Sequence, residues 1–410
     1  MTDCLVHPVQ LSGIVTPPPS KSDAHRALIA ASLAGDPGRV QHLPVPRSDD
    51  IQATEQCLCQ LMPAAKPDEG QPDLTLDCHE SGTTLRLLIP VAAALGRSAV
   101  FTGHGRLPLR PLADYDRILS PHGIRLVFPQ AEGHYLPLRI SGRLQPGRFM
   151  VPGHISSQYI SGLLFALPLL EGDSVIELTS PLASAPYVEM TRAVMKRFSV
   201  RAFWQDGCLA VPGRQRYQPA DYAVETDYSQ AAFWLTAAWL GSPLQVDGLP
   251  EGSRQGDQAI HQHLAALRTA EQTGTVCRID AGPCPDLVPV LAVAAAATRA
   301  RTEIINAARL RFKESDRLQA TADALQAIGA DVTVQEDGLT IVGPAGQRCL
   351  RGGTVDGRGD HRIVMALAVA ALRTQEGIVI RGTEAVSKSY PTFFNEWKRL
   401  GGQVDELNMG

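Results

Sequence analysis

The sequence predicts an α/β protein built from repeated α+β units around buried helices, and two observations predict it. First, residues 114–142, 190–213 and 321–343 share one pattern, in which a helix end is followed by an alternating strand, a turn, a second strand and a closing glycine. Second, the helices between these segments are so rich in Ala, Gly and Leu that few polar positions remain for a solvated face. Such helices are buried, so the repeated units must enclose them.

Each copy of the repeat places its turn at an acidic residue followed by glycine, a pair that favours tight hairpins. These turns are predicted at Glu132-Gly133, Asp206-Gly207 and Asp337-Gly338. Partial copies occur at 395–404 and, less clearly, at 261–280. A series of such units in a chain of 410 residues would divide naturally into two halves.

Composition limits the classes of function. Charged residues make up 20% of the chain and hydrophobic residues 44%, which is typical of a globular protein. The formal net charge of −4 predicts no general affinity for nucleic acid, so any anion site must be a local cluster. The longest apolar run, 287–297, is shorter than the roughly 20 residues of a membrane helix, and the N-terminal segment lacks the pattern of a signal peptide. We therefore expect a soluble protein without a targeting segment or membrane anchor.

The cysteines predict neither a metal site nor a disulfide framework. No CxxC pair and no His at zinc spacing accompanies them, which favours reduced thiols in a cytosol. Their positions are 4, 57, 59, 78, 208, 277, 284 and 349.

Polar helix starts are the first candidate functional feature. Each of them taken alone is typical of an ordinary helix N-cap. Four of them in one chain predict that several helix N-termini converge on a common anionic ligand. They are Ser20-Lys21-Ser22 with Arg26 one turn later, Ser81-Gly82-Thr83, Ser156-Ser157-Gln158, and residues 184–191 with Tyr187.

Charged clusters in the second half are the other candidates. If a helix begins in 311–317, Lys313 and Arg317 share one face at i and i+4, where like charges repel unless an anion lies between them. A surface lattice of salt bridges is the alternative. Asp360-His361-Arg362 directly precedes an apolar helix, where unpaired cations are costly.

Three single residues complete the candidates. Asp286 precedes the apolar segment 287–297, where a helix N-cap is the alternative role. Lys388 and Arg110 have the alternative of ordinary surface charges.

A series of motifs resembles the 5-enolpyruvylshikimate-3-phosphate synthase family, also called 3-phosphoshikimate 1-carboxyvinyltransferases. The match runs from about residue 9 to residue 402, and the motifs in series are far more specific than any one alone. In chain order they are KSDAHR, ESGTTLR, RLPLRPL, SSQYISGLL, SAPYVEMT, DYSQAAF, CPDLVPVLA, LRFKESDRL, GDHRIVMALAV and VSKSYPTFF.

The resemblance implies a two-lobed enolpyruvyl transferase-like fold of βαβαββ units. One lobe would comprise 1–19 and 226–410, with the cations for phosphoenolpyruvate and the catalytic carboxylates. The other would comprise 20–225 and hold the shikimate 3-phosphate side. The active site would lie in the cleft between them, and lobe closure would assemble it.

The implied reaction transfers the carboxyvinyl group of phosphoenolpyruvate to the 5-hydroxyl of shikimate 3-phosphate and releases phosphate. It belongs to the shikimate pathway, which leads to chorismate and the aromatic amino acids. The resemblance implies small-molecule substrates, no metal or organic cofactor, and a cytoplasmic monomer. Gly82 matches the glycine with which the donor pocket also accepts glyphosate.

Carried over residue by residue, the resemblance implies three overlapping sets of site residues. The catalytic set is Lys21, Asp286 and Glu314, with Asp286 accepting the hydroxyl proton and Glu314 transferring a proton at the methylene carbon. The contacts implied for shikimate 3-phosphate are Lys21, Ser22, Arg26, Ser156, Ser157, Gln158, Ser184, Tyr187, Asp286 and Lys313. Those implied for phosphoenolpyruvate are Lys21, Gly82, Arg110, Gln158, Arg317, Arg362 and Lys388.

Several positions depart from the best-known bacterial members. Glu80 stands where Asn is common, Ala24 where Ser is common, and Arg309 where Asn would contact the sugar acid. We assign no binding role to Arg309, and we assign Arg86 to structure although it lies inside a motif.

Two alternatives remain open from the sequence. UDP-N-acetylglucosamine enolpyruvyl transferase shares the fold and donor but uses a loop cysteine, whereas the matching loop here, 103–112, has none. A non-catalytic anion-binding relative would keep only the fold, which the retained Lys21, Asp286, Glu314 and Lys388 argue against.

Overall fold

The computed structural model describes residues 2–62, 73–343 and 350–407. These residues form two compact units. The first unit comprises 1–20 and 226–410, and the second comprises 21–225, within the described ranges. The chain therefore enters the second unit after Ser20 and leaves it after Glu225. Helices and strands are numbered along the whole chain.

The second unit contains helices α1 to α6 and strands β3 to β12. Its helices are α1 Lys21–Leu33, α2 Asp49–Leu61, α3 Gly82–Ala94, α4 Asp114–Leu119, α5 Ser157–Ala166 and α6 Ala185–Arg197. Its strands are β3 Val40–Gln41, β4 Leu74–Asp77, β5 Ala99–Thr102, β6 Ile124–Val127, β7 Leu138–Gly142, β8 Arg148–Val151, β9 Ser174–Leu178, β10 Phe203–Gln205, β11 Cys208–Val211 and β12 Tyr222–Ala223.

The first unit contains the remaining elements. Its helices are α7 Tyr228–Trp239, α8 Ile260–Thr273, α9 Val288–Ala296, α10 Arg317–Ala327, α11 His361–Ala371 and α12 Phe393–Arg399. Its strands are β1 Asp3–Val6, β2 Gly13–Val15, β13 Leu244–Val246, β14 Cys277–Asp280, β15 Arg301–Ile305, β16 Asp331–Gln335, β17 Gly338–Val342, β18 Gly353–Asp356, β19 Ile378–Arg381 and β20 Val404–Leu407.

The predicted repeat is a β-α-β-α-β-β unit. Sheets β4-β5-β7-β6 and β8-β9-β11-β10 in the second unit, and β14-β15-β17-β16 in the first, each pair their first two strands in parallel and the others antiparallel. The sheet β18-β19-β1-β20 has the same pattern. The predicted α/β class and repeat architecture are confirmed.

The partial copy at 395–404 is completed by the other end of the chain. Helix α12 leads into β20. This strand does not form a hairpin; it pairs antiparallel with β1, with Cys4 opposite Glu406. The weaker copy at 261–280 is not a repeat of this kind. Helix α8 leads into β14, which pairs in parallel with β15 and so begins the following unit.

The three predicted hairpin turns differ in outcome. The turn at Asp206-Gly207 is confirmed, with positive φ at both residues, as a tight two-residue hairpin requires. The third turn lies one residue earlier than predicted, because Gln335 pairs with Gly338. The turn at Glu132-Gly133 is wrong as a tight hairpin, since β6 and β7 pair across the longer connection 128–137. Pro129 and Pro137 flank that turn, and neither has an N–H to donate to a ladder.

Buried small-residue helices form the centre of each unit. In the second unit α3 packs against α5, and in the first α9 packs against α11. Every residue of α9 and of α11 is buried. Alanine and glycine allow such close approach, and Gly162 of α5 illustrates it, because a Cβ there would lie 2.6 Å from the carbonyl oxygen of Arg86.

Among the described residues, no helix is long and apolar enough to cross a membrane. The described cysteines are free thiols, and Cys349 lies outside the described residues.

Candidate active site

Apart from Ser20, which is the last residue before the second unit, the four polar helix starts all lie in that unit. Helix α3 packs on α5, α5 on α6, α6 on α1 and α1 on α3, so the four helices are neighbours. Ser81 and Ser156 act as N-caps, accepting hydrogen bonds from the amides of Thr84 and Gln158. The side chain of Gln158 in turn donates to Thr83 Oγ1 over 2.9 Å, which joins the starts of α5 and α3 at one end.

Lys21 is the first residue of α1 and forms an enclosed ion pair. Its Nζ donates to Asp50 Oδ2 over 2.6 Å, and the two side chains are only 14% and 11% exposed. Asp50 lies in the first turn of α2. Asp50 is not among the predicted site residues, although two consecutive acidic residues after Ser48 mark a helix start there.

Arg26 is buried one turn further along α1. Its Nε donates to Thr191 Oγ1 over 2.8 Å, and its Nη1 donates to the Ser22 carbonyl over 2.6 Å. The guanidinium carbon lies 5.8 Å from the centre of the Tyr187 ring. Burial lowers the pKa of Arg26 to about 10, opposed by Tyr187 and Asp23, so the side chain remains a cation at neutral pH.

Gly82 begins α3 and leaves room for Arg110. A Cβ on Gly82 would lie 2.6 Å from Arg110 Nη1, so the missing side chain lets this buried guanidinium rest against the helix start. Arg86 donates instead to Gln158 Oε1 and to the Pro111 carbonyl, over 3.1 and 3.2 Å.

The remaining predicted residues of the second unit surround the starts of α5 and α6. Ser157 is the buried first residue of α5. Ser184 precedes α6 with a φ of +56°, and its side chain makes no cap bond to the helix. Tyr187 lies in the first turn of α6, where its carbonyl accepts from Thr191 over 2.9 Å.

The first unit gathers its predicted charges into what we call the charged cluster: Asp286, Lys313, Glu314, Arg317, Asp360 and Arg362. Three cationic side chains form ion pairs with the carboxylate of Asp286. Arg317 Nη1 lies 2.9 Å from its Oδ1, Lys313 Nζ lies 3.5 Å from the same oxygen, and Arg362 Nη2 lies 3.1 Å from Oδ2.

Arg317 is the centre of this cluster, with a side chain only 1% exposed. Besides Asp286 it donates to Glu314 Oε2 over 2.6 Å and to both oxygens of the fully buried Asp360 over 2.9 and 3.3 Å. Asp360 also caps α11 by accepting from the Arg362 amide. One guanidinium therefore fixes three carboxylates.

These cations hold Asp286 in its ionised form. Burial would raise the pKa of Asp286, but Arg362, Lys313 and Arg317 together outweigh it and hold the pKa well below its usual range. For Arg317, burial would lower the pKa, and Asp360, Glu314 and Asp286 raise it above its ordinary value instead.

One expectation about this cluster is wrong, and one alternative role is not observed. Lys313 and Arg317 do not share a helix face, because Lys313 has an extended backbone after the 3₁₀ turn Ala308–Phe312 and α10 begins at Arg317. The anion between them is Asp286. Asp286 is not an N-cap either, since its carboxylate pairs with cations and α9 has no side-chain cap.

Other polar groups extend the cluster. Ser229 Oγ accepts from Arg362 Nη1 over 2.5 Å, and Ser315 donates to Asp360 over 3.0 Å. Lys388 Nζ donates to the carbonyl of Gly359, the residue before Asp360, over 2.8 Å. Arg309 donates to the Gly282 carbonyl.

Asp360 is predicted from the sequence only as part of a motif, and Ser229 has no predicted role. Each lies within a motif of the resemblance, which was the available signal.

This arrangement suits an enzyme that handles anions. It combines buried guanidinium groups, lysines at defined points, and carboxylates that can move protons. Among the described residues, no group of three or more His, Cys, Asp or Glu is arranged to hold a metal ion.

Comparison with known proteins identifies the family. A family model described as EPSP synthase (3-phosphoshikimate 1-carboxyvinyltransferase) matches residues 6–397. Relatives named 3-phosphoshikimate 1-carboxyvinyltransferase from Clostridium acetobutylicum and Clostridioides difficile are 42% and 40% identical to this chain, each match covering 99% of both sequences. A solved EPSP synthase from Acinetobacter baumannii, 25% identical, superposes with a TM-score of 0.76 over 100% of both chains.

The chain belongs to the EPSP synthase family, and it is an enzyme of the transferase class. The alternative of a UDP-N-acetylglucosamine enolpyruvyl transferase is not favoured, because the family model and these relatives carry the 3-phosphoshikimate name.

Proposed function

We propose that this protein transfers the carboxyvinyl group of phosphoenolpyruvate to the 5-hydroxyl of shikimate 3-phosphate and releases phosphate. The observation that carries the proposal is the convergence of Arg317, Arg362 and Lys313 on Asp286, with Glu314 on the same guanidinium. This arrangement offers cations for an anionic donor and two carboxylates for proton transfer.

The reaction needs two proton movements. In the first step the 5-hydroxyl oxygen bonds to C2 of phosphoenolpyruvate, its proton leaves, and the methylene carbon gains a proton. In the second step the tetrahedral intermediate loses phosphate and a proton from the same carbon, which restores the double bond. The hydroxyl therefore needs a base, and the carbon needs a group that first gives and then takes a proton.

Asp286 is the proposed base. As the structure stands, its neighbouring cations lower its pKa and make it a weak proton acceptor. An anionic donor bound to Arg317 and Arg362 would offset part of their charge and raise the pKa of Asp286. Donor binding would thus strengthen the base at the moment it is needed.

Glu314 is the proposed proton carrier at the methylene carbon. Its carboxylate is held 2.6 Å from Arg317 Nη2, on the guanidinium that also holds Asp286. Sharing one cation keeps the two carboxylates close to each other while leaving them distinct roles. Lys21, held by Asp50 in the second unit, is the third proposed catalytic group.

We propose the remaining contacts as the resemblance implies them. For shikimate 3-phosphate they are Lys21, Ser22, Arg26, Ser156, Ser157, Gln158, Ser184, Tyr187, Asp286 and Lys313. For phosphoenolpyruvate they are Lys21, Gly82, Arg110, Gln158, Arg317, Arg362 and Lys388.

We also propose that the enzyme acts as a cytoplasmic monomer, on the strength of the family resemblance. Light scattering coupled to size-exclusion chromatography should give a mass near 44.0 kDa. A stable mass of twice that value would contradict the monomer.

The function is tested by a phosphate-release assay with phosphoenolpyruvate and one of three additions: shikimate 3-phosphate, UDP-N-acetylglucosamine, or buffer. We expect release with shikimate 3-phosphate only. Lys21→Met should lower kcat/KM by about 100-fold or more, the range for losing a group that assists proton transfer. Release with UDP-N-acetylglucosamine, or with no acceptor, would overturn the proposal.

A further inference from the structure

Two consecutive residues of α1 connect it to different helices. His25 Nδ1 lies 2.7 Å from Thr54 Oγ1 on α2, whereas Arg26 Nε donates to Thr191 Oγ1 on α6 over 2.8 Å. Both residues are buried, and so are both threonines. Because they are adjacent on a helix, their side chains leave it in different directions.

The first connection continues to the start of α3. Thr54 Oγ1 lies 2.6 Å from Thr84 Oγ1, which lies 2.7 Å from Ser81 Oγ, the N-cap directly before Gly82. We call His25, Thr54, Thr84 and Ser81 the hydroxyl network. All four have 0% exposure, so water does not substitute for any of these bonds.

The hydroxyl network also contacts the residue that holds Lys21. The Thr54 and Thr84 hydroxyls lie 3.3 and 3.4 Å from the main-chain carbonyl of Asp50, whose carboxylate pairs with Lys21. The network thus joins the start of α3 to the Lys21–Asp50 pair.

The second connection belongs to the other side of α1. Thr191 Oγ1, besides accepting from Arg26, lies 2.8 Å from Ser161 Oγ on α5. We call Arg26, Thr191 and Ser161 the Arg26 network. It shares no side chain with the hydroxyl network.

We propose that the hydroxyl network positions the donor half of the site and the Arg26 network positions the acceptor half. Thr54 and Thr84 are then positioning residues for Gly82, which is a proposed contact of phosphoenolpyruvate alone, and Thr191 is a positioning residue for Arg26, a proposed contact of shikimate 3-phosphate alone. The proposal rests on the proposed function, because donor and acceptor are defined by it.

The physical reason is that a buried hydroxyl holds two helices at a fixed distance only while it hydrogen-bonds to a group on the other helix. Valine has nearly the shape of threonine but cannot form these bonds, so Thr→Val leaves the partner unsatisfied and lets the helices shift slightly. A shift between α2 and α3 displaces Gly82 at the start of α3. A shift between α1 and α6 displaces Arg26 instead.

The experiment compares Thr54→Val with its matched control Thr191→Val. For each we would measure kcat, the KM of both substrates, and shikimate 3-phosphate binding by calorimetry. Thr54→Val should raise the KM for phosphoenolpyruvate about three- to tenfold, the range for losing one hydrogen bond, and leave shikimate 3-phosphate binding within about twofold. Thr191→Val should do the reverse.

Conservative variants guard against a purely structural explanation. Thr54→Ser and Thr191→Ser keep the hydroxyl and lose the methyl group, so each should restore the affected KM to within about twofold of wild type. If Thr54→Val does not fold, Thr84→Val and Thr84→Ser test the same network on α3. A general loss of stability would lower the active fraction and hence the apparent kcat, without separating the KM values of the two substrates.

Equal effects on both substrates, or no effect in either valine variant, would overturn the proposal. The wild-type enzyme separates this outcome from failure of the proposed function. If the wild-type enzyme releases no phosphate in the presence of shikimate 3-phosphate, the proposed function is contradicted. An active wild type whose valine variants do not separate the two KM values contradicts only the positioning roles.

Discussion

The two units bury their polar groups by different chemistry. In the first unit the charged cluster holds Arg317 and Asp360 almost without solvent exposure, paired with each other and each satisfied by several partners. In the second unit the hydroxyl network buries His25, Thr54 and Thr84 completely, and these groups are neutral. The first arrangement is electrostatic, whereas the second depends on hydrogen-bond geometry alone.

The difference is instructive because the two kinds of burial respond differently to change. Removing one member of a buried ion cluster leaves uncompensated charge, which costs several kcal/mol. Removing one hydroxyl leaves a neutral group unsatisfied, which costs about 1–3 kcal/mol. A cluster of charges can also adjust its protonation when an anion arrives, whereas a neutral network can only hold a position. The proposed proton transfers fall mainly in the charged cluster, as this distinction predicts.

The largest effect should come from Arg317→Met in the charged cluster. The variant leaves Asp286, Glu314 and Asp360 without their shared cation. We expect the free energy of unfolding to fall by about 3–5 kcal/mol. We also expect kcat/KM to fall by about 100-fold or more, because both proton-transferring carboxylates lose their position. Urea unfolding and steady-state kinetics measure the two effects.

Arg278→Met is the matched control in the same unit. Arg278 pairs with Glu303 on the surface, and its side chain is 69% exposed. We expect its unfolding free energy to change by less than about 1 kcal/mol, with unchanged kinetics. Similar losses in both variants would show that the charged cluster has no special place in stability or turnover.

A smaller effect is expected at Gly82, which has both neutral and charged buried groups as neighbours. The residue lies beside the hydroxyl network, yet an added Cβ would meet the guanidinium of Arg110 at 2.6 Å. This is the far end of a flexible side chain, so we expect Gly82→Ala to fold with Arg110 displaced. The KM for phosphoenolpyruvate should rise by a factor that corresponds to about 1–3 kcal/mol of binding free energy, the range for overpacking by one methyl group.

Gly38→Ala is the control for Gly82→Ala. A Cβ on Gly38 would have its nearest contact at an ordinary 3.6 Å, and we expect no kinetic change. Glyphosate inhibition adds a second readout, because a longer ligand should lose more affinity than phosphoenolpyruvate when Arg110 moves. An unchanged ratio of glyphosate Ki to phosphoenolpyruvate KM would remove Gly82 from the donor pocket.

The repeat and its buried helices could be predicted because their signals are local. Composition alone identified the buried helices α9 and α11, and alternation followed by Asp206-Gly207 identified a hairpin. Completion of the last sheet by β1 could not be predicted this way, since Cys4 and Glu406 lie at opposite ends of the chain. Sequence spacing carries no information about such a pairing.

Candidate site residues could be named from the sequence, but their pairings could not. Asp286 and Arg317 were both named, but their contact depends on the packing of α10 near the start of α9. Lys313 shows the same limit, because helical spacing was applied to an extended segment. Asp50 was missed since its role depends on Lys21, which is distant in sequence. The resemblance supplied residues, and three-dimensional packing supplied their partners.

The smallest predicted effects are changes in the pH dependence of the free energy of unfolding, and they differ between the two units. Burial, with Lys21 and Arg26 nearby, lowers the pKa of His25 well below its usual range. Burial raises the pKa of Asp23, two residues earlier on α1, to about 6, with Glu225 adding to the shift and the Tyr222 hydrogen bond opposing it. These two groups of the second unit should influence stability in opposite directions when the solution is acidified.

The signs follow from proton linkage. The unfolded chain protonates His25 near pH 6.5 and the folded protein does not, so His25 costs stability as the pH falls below about 6.5. For Asp23 the folded protein binds the proton first, so stability is gained as the pH falls from about 6 towards 4. Between pH 7 and 5 the two contributions largely cancel in the wild type.

Single substitutions should therefore reveal each contribution. Asp23→Asn should make the free energy of unfolding fall more steeply on acidification than in wild type, and His25→Gln should make it fall less steeply. Each difference in slope should be about 1 kcal/mol per pH unit, close to the limit for one proton. Asp286→Asn in the charged cluster is the contrasting case. Because cations hold the pKa of Asp286 well below its usual range, its stabilisation is present above about pH 4 and lost only below it. A plot of its free energy of unfolding against pH should thus be displaced from that of wild type but have the same slope between pH 7 and 5. Parallel pH profiles for wild type, Asp23→Asn and His25→Gln, measured by urea unfolding, would contradict the assigned protonation of the second unit.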